Sequence, residues 1–264
     1  MKATPAMSDV QGGAKTVLIF DSGFGGLSVF QHLREALPSC NHVYVAHDVG
    51  FPYGDWEEGA LIDHCARTMA TLIERFKPDI AVIACNTAST ALSPVLRKAH
   101  DIEFVGTVPA IKPAANLSKN GMISVLATPG TVKRDYTQAL IDTFATHQDI
   151  TLVGSPHLAA LADQHMAGEP IDEDDIFREI LPCFQEQDER RTDVIVLACT
   201  HYPLLLGLFE KLAPWPVTFV DSGSAIARRV ADLLPTFDGE AQAPRFEFTS
   251  GADFPTGLVA RYSA

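Results

Sequence analysis

Two segments of this 264-residue chain nearly repeat each other. Val82-Ile83-Ala84-Cys85-Asn86-Thr87 and Val196-Leu197-Ala198-Cys199-Thr200-His201 each run an apolar stretch into a cysteine followed by hydrogen-bonding side chains. A lone cysteine at a strand end is ordinary packing. Two in matching settings, each leading into a helix, suggest one thiol on each wall of a cleft. A helix N-terminus brings a thiol pKa down from about 8.5, so one thiolate could take a proton while the opposite thiol gives one. Such a pair suits a reaction in which one face of a carbon loses a proton and the other face gains one.

Phe20-Asp21-Ser22-Gly23 near the start and Val220-Asp221-Ser222-Gly223 near the end form a second near-repeat. Asp21-Ser22-Gly23-Phe24-Gly25-Gly26 reads as a strand-to-helix turn in which glycine meets backbone demands. It is not a dinucleotide fingerprint, because Ser28 stands where the third glycine is needed. Asp21 is expected to accept hydrogen bonds or orient a proton, and Ser22 with the following amides to hold an anionic or zwitterionic ligand. His201 is either a capping or packing histidine or, beside a reactive thiol, a partner that balances thiolate against imidazolium. Asn86, Thr87 and Thr200 are neutral donors at helix starts, where capping and carboxylate binding use the same groups. Pro52-Tyr53-Gly54 reads as a turn whose amides could face a carboxylate. Cys40, Cys65 and Cys183 lie in loop or mid-helix settings and read as packing residues.

The elements that must position these residues alternate. Strands are predicted over 16–20, 42–46, 79–84, 104–106, 122–126, 151–153, 193–198, 217–220 and 246–249. Helices are predicted from Leu27 onward and over 58–76, 87–100, 134–144, 157–166, 176–187 and 224–234. Pro109 and Pro113 bracket a hinge, and 168–175 reads as an acidic loop. This βαβα order predicts parallel sheets covered on both faces. The expected fold class is α/β, with two doubly wound domains related by pseudo-two-fold symmetry and the active site in the cleft between them. Ligands in such folds bind at the carboxyl ends of strands, where the features named above fall.

The net charge of −13 opposes a nucleic-acid groove or an anionic membrane surface, and leaves an acidic substrate to be held by local donors. Five cysteines, an odd number, do not make a disulfide framework. Without C-x-x-C or His-x-x-His spacing, no metal site is expected. No cofactor is expected either, since no lysine sits in a Schiff-base setting and no dinucleotide fingerprint is present. No apolar run approaches the ~18 residues of a membrane helix. Met1 to Lys15 reads as a loose tail, not a signal peptide. The chain reads as a soluble protein of a reducing cytoplasm.

Phe20-Asp21-Ser22-Gly23-Phe24-Gly25-Gly26-Leu27-Ser28-Val29, Pro52-Tyr53-Gly54, Ala84-Cys85-Asn86-Thr87-Ala88-Ser89 and Ala198-Cys199-Thr200-His201-Tyr202-Pro203-Leu204-Leu205 together resemble the glutamate racemase family. Val220-Asp221-Ser222-Gly223-Ser224-Ala225-Ile226-Ala227-Arg228-Arg229 is similar to that family's late segment. The resemblance implies cofactor-independent interconversion of L- and D-glutamate, with D-glutamate supplied to peptidoglycan. It implies a tail over 1–15, a first domain over 16–111, a second over 112–223, and a C-terminal segment over 224–264 that returns to the first domain. By motif position, Cys85 works on the D-enantiomer and Cys199 on the L-enantiomer, with Asp21 and His201 assisting their respective transfers. Asp21, Ser22, Pro52, Tyr53, Gly54, Asn86, Thr87, Thr200 and His201 hold the substrate's charged groups. Val108-Pro109-Ala110-Ile111-Lys112-Pro113 resembles a branch found in many Gram-negative bacteria, some members of which are activated by a UDP-muramyl peptide precursor bound near the hinge. A homodimer is left open.

Two departures qualify the resemblance. Ser155-Pro156-His157 leads to Asp163 where many members have a Cys-Pro segment leading to a glutamate, so any second-domain carboxylate reaches one methylene less far. Ala46-His47-Asp48-Val49-Gly50-Phe51-Pro52 is only partly like the family's lead into Pro-Tyr-Gly. Other readings have their own marks. Aspartate racemases similar to this chain carry a glutamate where His201 stands. One methylene of substrate is worth only about 1–3 kcal/mol of discrimination. A thiol hydrolase would use Cys199 and His201 but needs only one cysteine. A plain ligand-binding module would leave both thiols inert.

Overall fold

The computed structural model describes residues 13–51, 53, 56–234 and 239–263; most of the expected tail, Pro52 and Gly54 lie outside them. Short apolar runs alternate with amphipathic stretches in the order β1 (Thr16–Asp21), α1 (Leu27–Ala36), β2 (Asn41–Ala46), α2 (Glu58–Phe76), β3 (Ile80–Ile83), α3 (Asn86–Ala99), β4 (Glu103–Gly106) and α4 (Ile111–Leu117). The pattern restarts with β5 (Met122–Ala127), α5 (Pro129–Val132), α6 (Asp135–Phe144), β6 (Asp149–Gly154), α7 (Leu158–Ala167) and α8 (Glu173–Ile180). It continues with β7 (Glu186–Gln187), β8 (Arg190–Arg191), β9 (Val194–Leu197), α9 (Leu206–Leu212), β10 (Thr218–Val220), α10 (Gly223–Leu233), β11 (Arg245–Phe248) and α11 (Thr256–Ser263).

Two parallel sheets result. One has the order β11-β2-β1-β3-β4 and the other β10-β9-β5-β6. Without β11 the two orders are the same, with β5, β6, β9 and β10 taking the places of β1, β2, β3 and β4. Register makes the match residue by residue. Phe20 pairs with Ile83 and Leu126 with Leu197, so Cys85 and Cys199 stand two residues beyond equivalent positions. The Asp-Ser-Gly near-repeat is not part of this symmetry. Asp21 ends β1, whereas Asp221 follows β10, the counterpart of β4. The true counterpart of Asp21 is Ala127, and that of Ser22 is Thr128.

The central strands β1, β3, β5 and β9 are buried on both faces and are therefore mostly apolar. Along β1, Val17 and Ile19 enter one core while Leu18 and Phe20 enter the core on the opposite face, as period-two alternation requires. In the second sheet Val194 and Val196 of β9 face one core, and Ile195 and Leu197 the other. The chain's end completes the first sheet: β11 pairs with β2, and Ile226, Val230, Leu258 and Tyr262 pack on Leu27, Phe30 and Leu33 of α1.

Local chemistry explains where elements stop and where expectations failed. α2 spans the predicted residues because Glu57 caps it through Ala60 N, and Lys77, at φ 44°, turns the chain out just before Pro78. The helix predicted over 176–187 instead starts at Glu173, where the Asp172 side chain accepts from Asp174 N. It ends at Ile180, two residues before Pro182, and Gln187 lies in the β7–β8 hairpin. Pro113, expected with Pro109 to bracket a hinge, occupies the first turn of α4, where no intrahelical N–H is needed. Lys15, expected in the loose tail, is tied by Nζ to Asp79 Oδ1 at 2.8 Å, and its carbonyl accepts from Asn41 N. No helix among the described residues is long and apolar enough to cross a membrane.

Candidate active site

The carboxyl ends of β1 and β3 face those of β5 and β9, and the predicted polar residues meet there. Cys85 is the N-cap residue of α3, with the Ser22 hydroxyl 3.8 Å from its Sγ. Cys199 lies on the opposite wall, with His201 Nδ1 3.7 Å from its Sγ. The walls are stitched together. Thr200 Oγ1 donates to Asp21 Oδ1 at 3.2 Å, Ser28 Oγ donates to the Thr200 carbonyl at 2.9 Å, and Thr87 Oγ1 lies 3.5 Å from Thr128 Oγ1. Asp21, Ser22, Asn86, Thr87, Thr200, His201 and both thiols are buried.

The glycines of the first turn are explained by this closeness. A Cβ on Gly25 would overlap the His201 ring and the Thr200 hydroxyl. One on Gly23 would sit 2.9 Å from Asp163 Oδ2 and 3.2 Å from His201 Nε2. Gly23 and Gly25 are therefore required by side chains of the second half of the chain, whereas a Cβ on Gly26 would meet Asp21 and Tyr44 of its own sheet.

Asp163, the residue whose reach the sequence leaves open, does enter the site. From α7 it forms an ion pair with His201 Nε2 at 3.2 Å, without full hydrogen-bond alignment, and its Oδ1 accepts from Phe24 N at 3.4 Å. The second sheet has no carboxylate at the place equivalent to Asp21, where Ala127 stands. Asp163 supplies one from a helix instead. Sequence reasoning misses Thr128 altogether. It carries no titratable group, and only the strand-end rule applied to β5 would have singled it out.

The electrostatics correct one expectation. A helix start was expected to lower the thiol pKa, but the Cys85 thiol is pushed up to about 12. Burial is the main cause, and the Asp21 carboxylate adds to it. The Ala88 amide, the Ser22 hydroxyl and the start of α3 oppose it without winning. The charge of Cys199 also raises it. Burial likewise raises Asp21 above the usual carboxylate range, against the pull of His201 and the Gly23 and Gly26 amides. For His201, burial disfavours the imidazolium, yet the Asp163 charge and contact, with Cys199, hold its pKa well above the usual histidine value. An acid–base array results: a protonated thiol beside Asp21, and a second thiol beside an imidazolium anchored by Asp163.

The Tyr53 phenol is buried 2.7 Å from His47 Nδ1, in the same core cluster as Cys85, and after burial the charges of Cys65, Cys85 and Asp21 help to raise its pKa. Cys40 and Cys183 are packing residues as expected, whereas Cys65 Sγ also approaches His47 Nδ1 at 3.8 Å. Among the described residues no group of three or more His, Cys, Asp or Glu is arranged to hold a metal ion. Between the walls, a cavity of about 10 Å³ touches Asn86, Thr107, Cys199, Thr200 and Ser222.

Comparison with known proteins agrees with this geometry. A glutamate racemase of Brucella anthropi is 52% identical over 239 residues, covering 89% of this chain and 86% of that protein. One of Agrobacterium fabrum is 48% identical over 261 residues, covering 97% and 94%. The crystal structure of Escherichia coli glutamate racemase with L-glutamate and the activator UDP-MurNAc-Ala is 39% identical. It has a TM-score of 0.86, covering 95% of this chain and 96% of that one. The model of the Asp/Glu/hydantoin racemase family matches residues 27–230, and with these relatives it shows that the chain belongs to that family.

Proposed function

We propose that this protein is a glutamate racemase that moves the Cα proton between two thiols without a cofactor, supplying D-glutamate for peptidoglycan. The observation that carries the reading is the pair of buried cysteines at equivalent strand ends of two facing sheets, one beside Asp21 and the other beside the His201–Asp163 pair.

With L-glutamate bound, the Cys199 thiolate takes the Cα proton while His201, held as an imidazolium by Asp163, stabilises that thiolate. The Cys85 thiol then delivers its own proton to the opposite face, yielding D-glutamate. A thiol pushed up to about 12 keeps its proton at neutral pH, as this role asks. For the reverse direction Cys85 must become the base. A rise from 9 to about 12 opposes this by roughly 4 kcal/mol. The substrate ammonium, placed beside Asp21 and Cys85, is the cation that would offset it. Ser22, Asn86, Thr87, Thr200 and the Pro52-Tyr53-Gly54 turn supply donors for the two carboxylates, which the chain's net charge would otherwise repel.

Both thiols are buried, so the two walls are expected to part as glutamate enters. The same reading divides the chain after residues 111 and 223. A cytoplasmic location fits five cysteines that are all buried and unpaired. An activating UDP-muramyl precursor fits the hinge. A groove of about 240 Å³ there is lined by Val108, Pro109 and Phe144, with Lys112 and Arg229 as cations for a diphosphate. Ser222 Oγ donates to the Val108 carbonyl at 2.5 Å beside it, linking the groove to the cleft.

Circular dichroism of L-glutamate incubated with the protein, with and without the UDP-muramyl precursor, tests the reading. The signal should decay to zero, and L-aspartate should keep its signal. An unchanged glutamate signal under both conditions rejects it.

A further inference from the structure

His47 ends the β2 ladder beside the catalytic wall. Its N–H donates to the Asp21 carbonyl at 2.7 Å, and its side chain is fully buried. The ring packs against Phe20 at 5.3 Å between centroids and stacks on His64 at 4.8 Å, which in turn stacks on Trp56 at 5.1 Å. Trp56 Nε1 donates to the Gly50 carbonyl, closing the segment on itself. The approach is tight: a Cβ on Gly50 would lie 2.8 Å from His47 Cε1 and 3.0 Å from Tyr53 Cε1.

Among the described residues the imidazole's polar contacts are both at Nδ1, the Tyr53 phenol at 2.7 Å and the longer approach of Cys65 Sγ at 3.8 Å. Nε2 is buried with no hydrogen-bond partner among the described residues. Burying an unpaired ring nitrogen is costly, and a phenylalanine would fill the same space without that cost. What a histidine adds is the acceptor for Tyr53. The groups facing the ring are Tyr53, Cys65, His64 and Asp48. Burial, with His64 adding and Asp48 opposing, lowers His47 to about 4, so the ring is neutral at physiological pH. The buried phenol keeps its proton, and with the Nε2–H tautomer of His47 its O–H can donate to Nδ1.

We infer that His47 is a positioning residue for Tyr53, fixing its side chain through Nδ1 while the His47 backbone is fixed to Asp21. The inference rests on the reading that the Tyr53-Gly54 turn holds a substrate carboxylate. His47 touches no reacting atom and acts through Tyr53. Its loss therefore weakens substrate holding and leaves the proton transfers between Cys85 and Cys199 in place.

A set of variants read by KM and kcat for L-glutamate tests this, with thermal melts to confirm folding. His47→Phe and Tyr53→Phe should each raise KM about 3- to 10-fold with kcat within about 2-fold, the worth of one hydrogen bond. The double variant should be no worse than either single one, because both remove the same contact. His47→Asn, whose carbonyl can occupy the Nδ1 position, should restore most of the loss. Multiplying effects in the double variant, or an unchanged KM in His47→Phe while Tyr53→Ala raises it, overturns the inference and leaves the turn's role intact. An unchanged KM in Tyr53→Ala itself removes the turn from substrate holding, and the inference with it. Should His47→Phe fail to fold, the cycle of Tyr53→Phe with His47→Leu, which also removes the ring nitrogen, carries the same comparison.

Discussion

Replacing Asp163 with asparagine removes one charge and almost no volume, so its effect reports the ion pair directly. His201 is nearly fully buried, and the facing oxygen is 3.2 Å from its Nε2. Asp163 is 22% exposed, so water screens part of the attraction. A charge-assisted contact of this kind is worth about 1.5–3 kcal/mol, or roughly 10- to 150-fold. Asp163 raises the His201 pKa, so Asp163→Asn must lower it. The imidazolium that balances the Cys199 thiolate then vanishes at a lower pH. A drop in kcat/KM of about 10- to 100-fold at neutral pH is expected, with the alkaline limb of the pH profile moved toward acid. Stability gives a second readout with its own sign. A folded pKa raised above the unfolded value stabilises fully below about pH 6.5, and the contribution is lost as pH rises through the folded pKa. The asparagine variant should therefore be less stable than the parent at pH 6 and converge on it at high pH. Polarimetric rates across pH and urea unfolding provide both measurements. Asp163→Glu should recover most of the activity. A variant within 2-fold of the parent, with an unmoved alkaline limb, refutes the role of this pair.

Cys85→Ser and Cys199→Ser should each cost about 10²- to 10⁴-fold in polarimetric rate, and the double variant should be little worse, because either one breaks the same relay. A single variant that keeps most of its rate contradicts the two-thiol scheme. His42 and His47 are both lowered to about 4, chiefly by burial. As pH falls below about 6.5 the unfolded chain takes up protons the folded one refuses, so each should subtract about 2 kcal/mol from stability by pH 5. Urea unfolding at pH 7 and pH 5 measures this, and a flat profile contradicts it. Phe30, fully buried with Tyr44, Phe246 and Tyr262 around it, joins α1 to the chain's end. Phe30→Ala should cost about 3–5 kcal/mol in the same assay, and less than 1 kcal/mol would mean this junction contributes little.

What the sequence shows and what it hides follow from how far each interaction reaches along the chain. β1, α2 and both Cys strand ends are legible because period, caps and Pro78 act locally. α11 is not, since its apolar residues, Leu258 and Tyr262, make sense only against α1, more than two hundred residues earlier. The Asp21 and Asp221 near-repeat misleads because identical triplets can follow non-equivalent strands, and only register separates them. The short side chain of Asp163 makes its reach ambiguous in the sequence. How close α7 comes to Gly23 decides that reach, and tertiary packing sets it. The Cys85 thiol goes the opposite way from the local rule because burial, a property of the assembled core, outweighs a helix start.

The central claim is that two different thiols serve the two faces of Cα. The most direct test is racemisation of L-glutamate in D₂O, stopped early, with the Cα isotope measured in separated product and residual substrate. A thiol that takes the proton on one side and a solvent-exchanged thiol that delivers on the other predict product fully deuterated at Cα and substrate still protiated. Early D-glutamate that retains substantial protium at Cα would mean that one base returned the hydrogen it removed, and Cys85 and Cys199 could not then act as a base and acid on opposite faces.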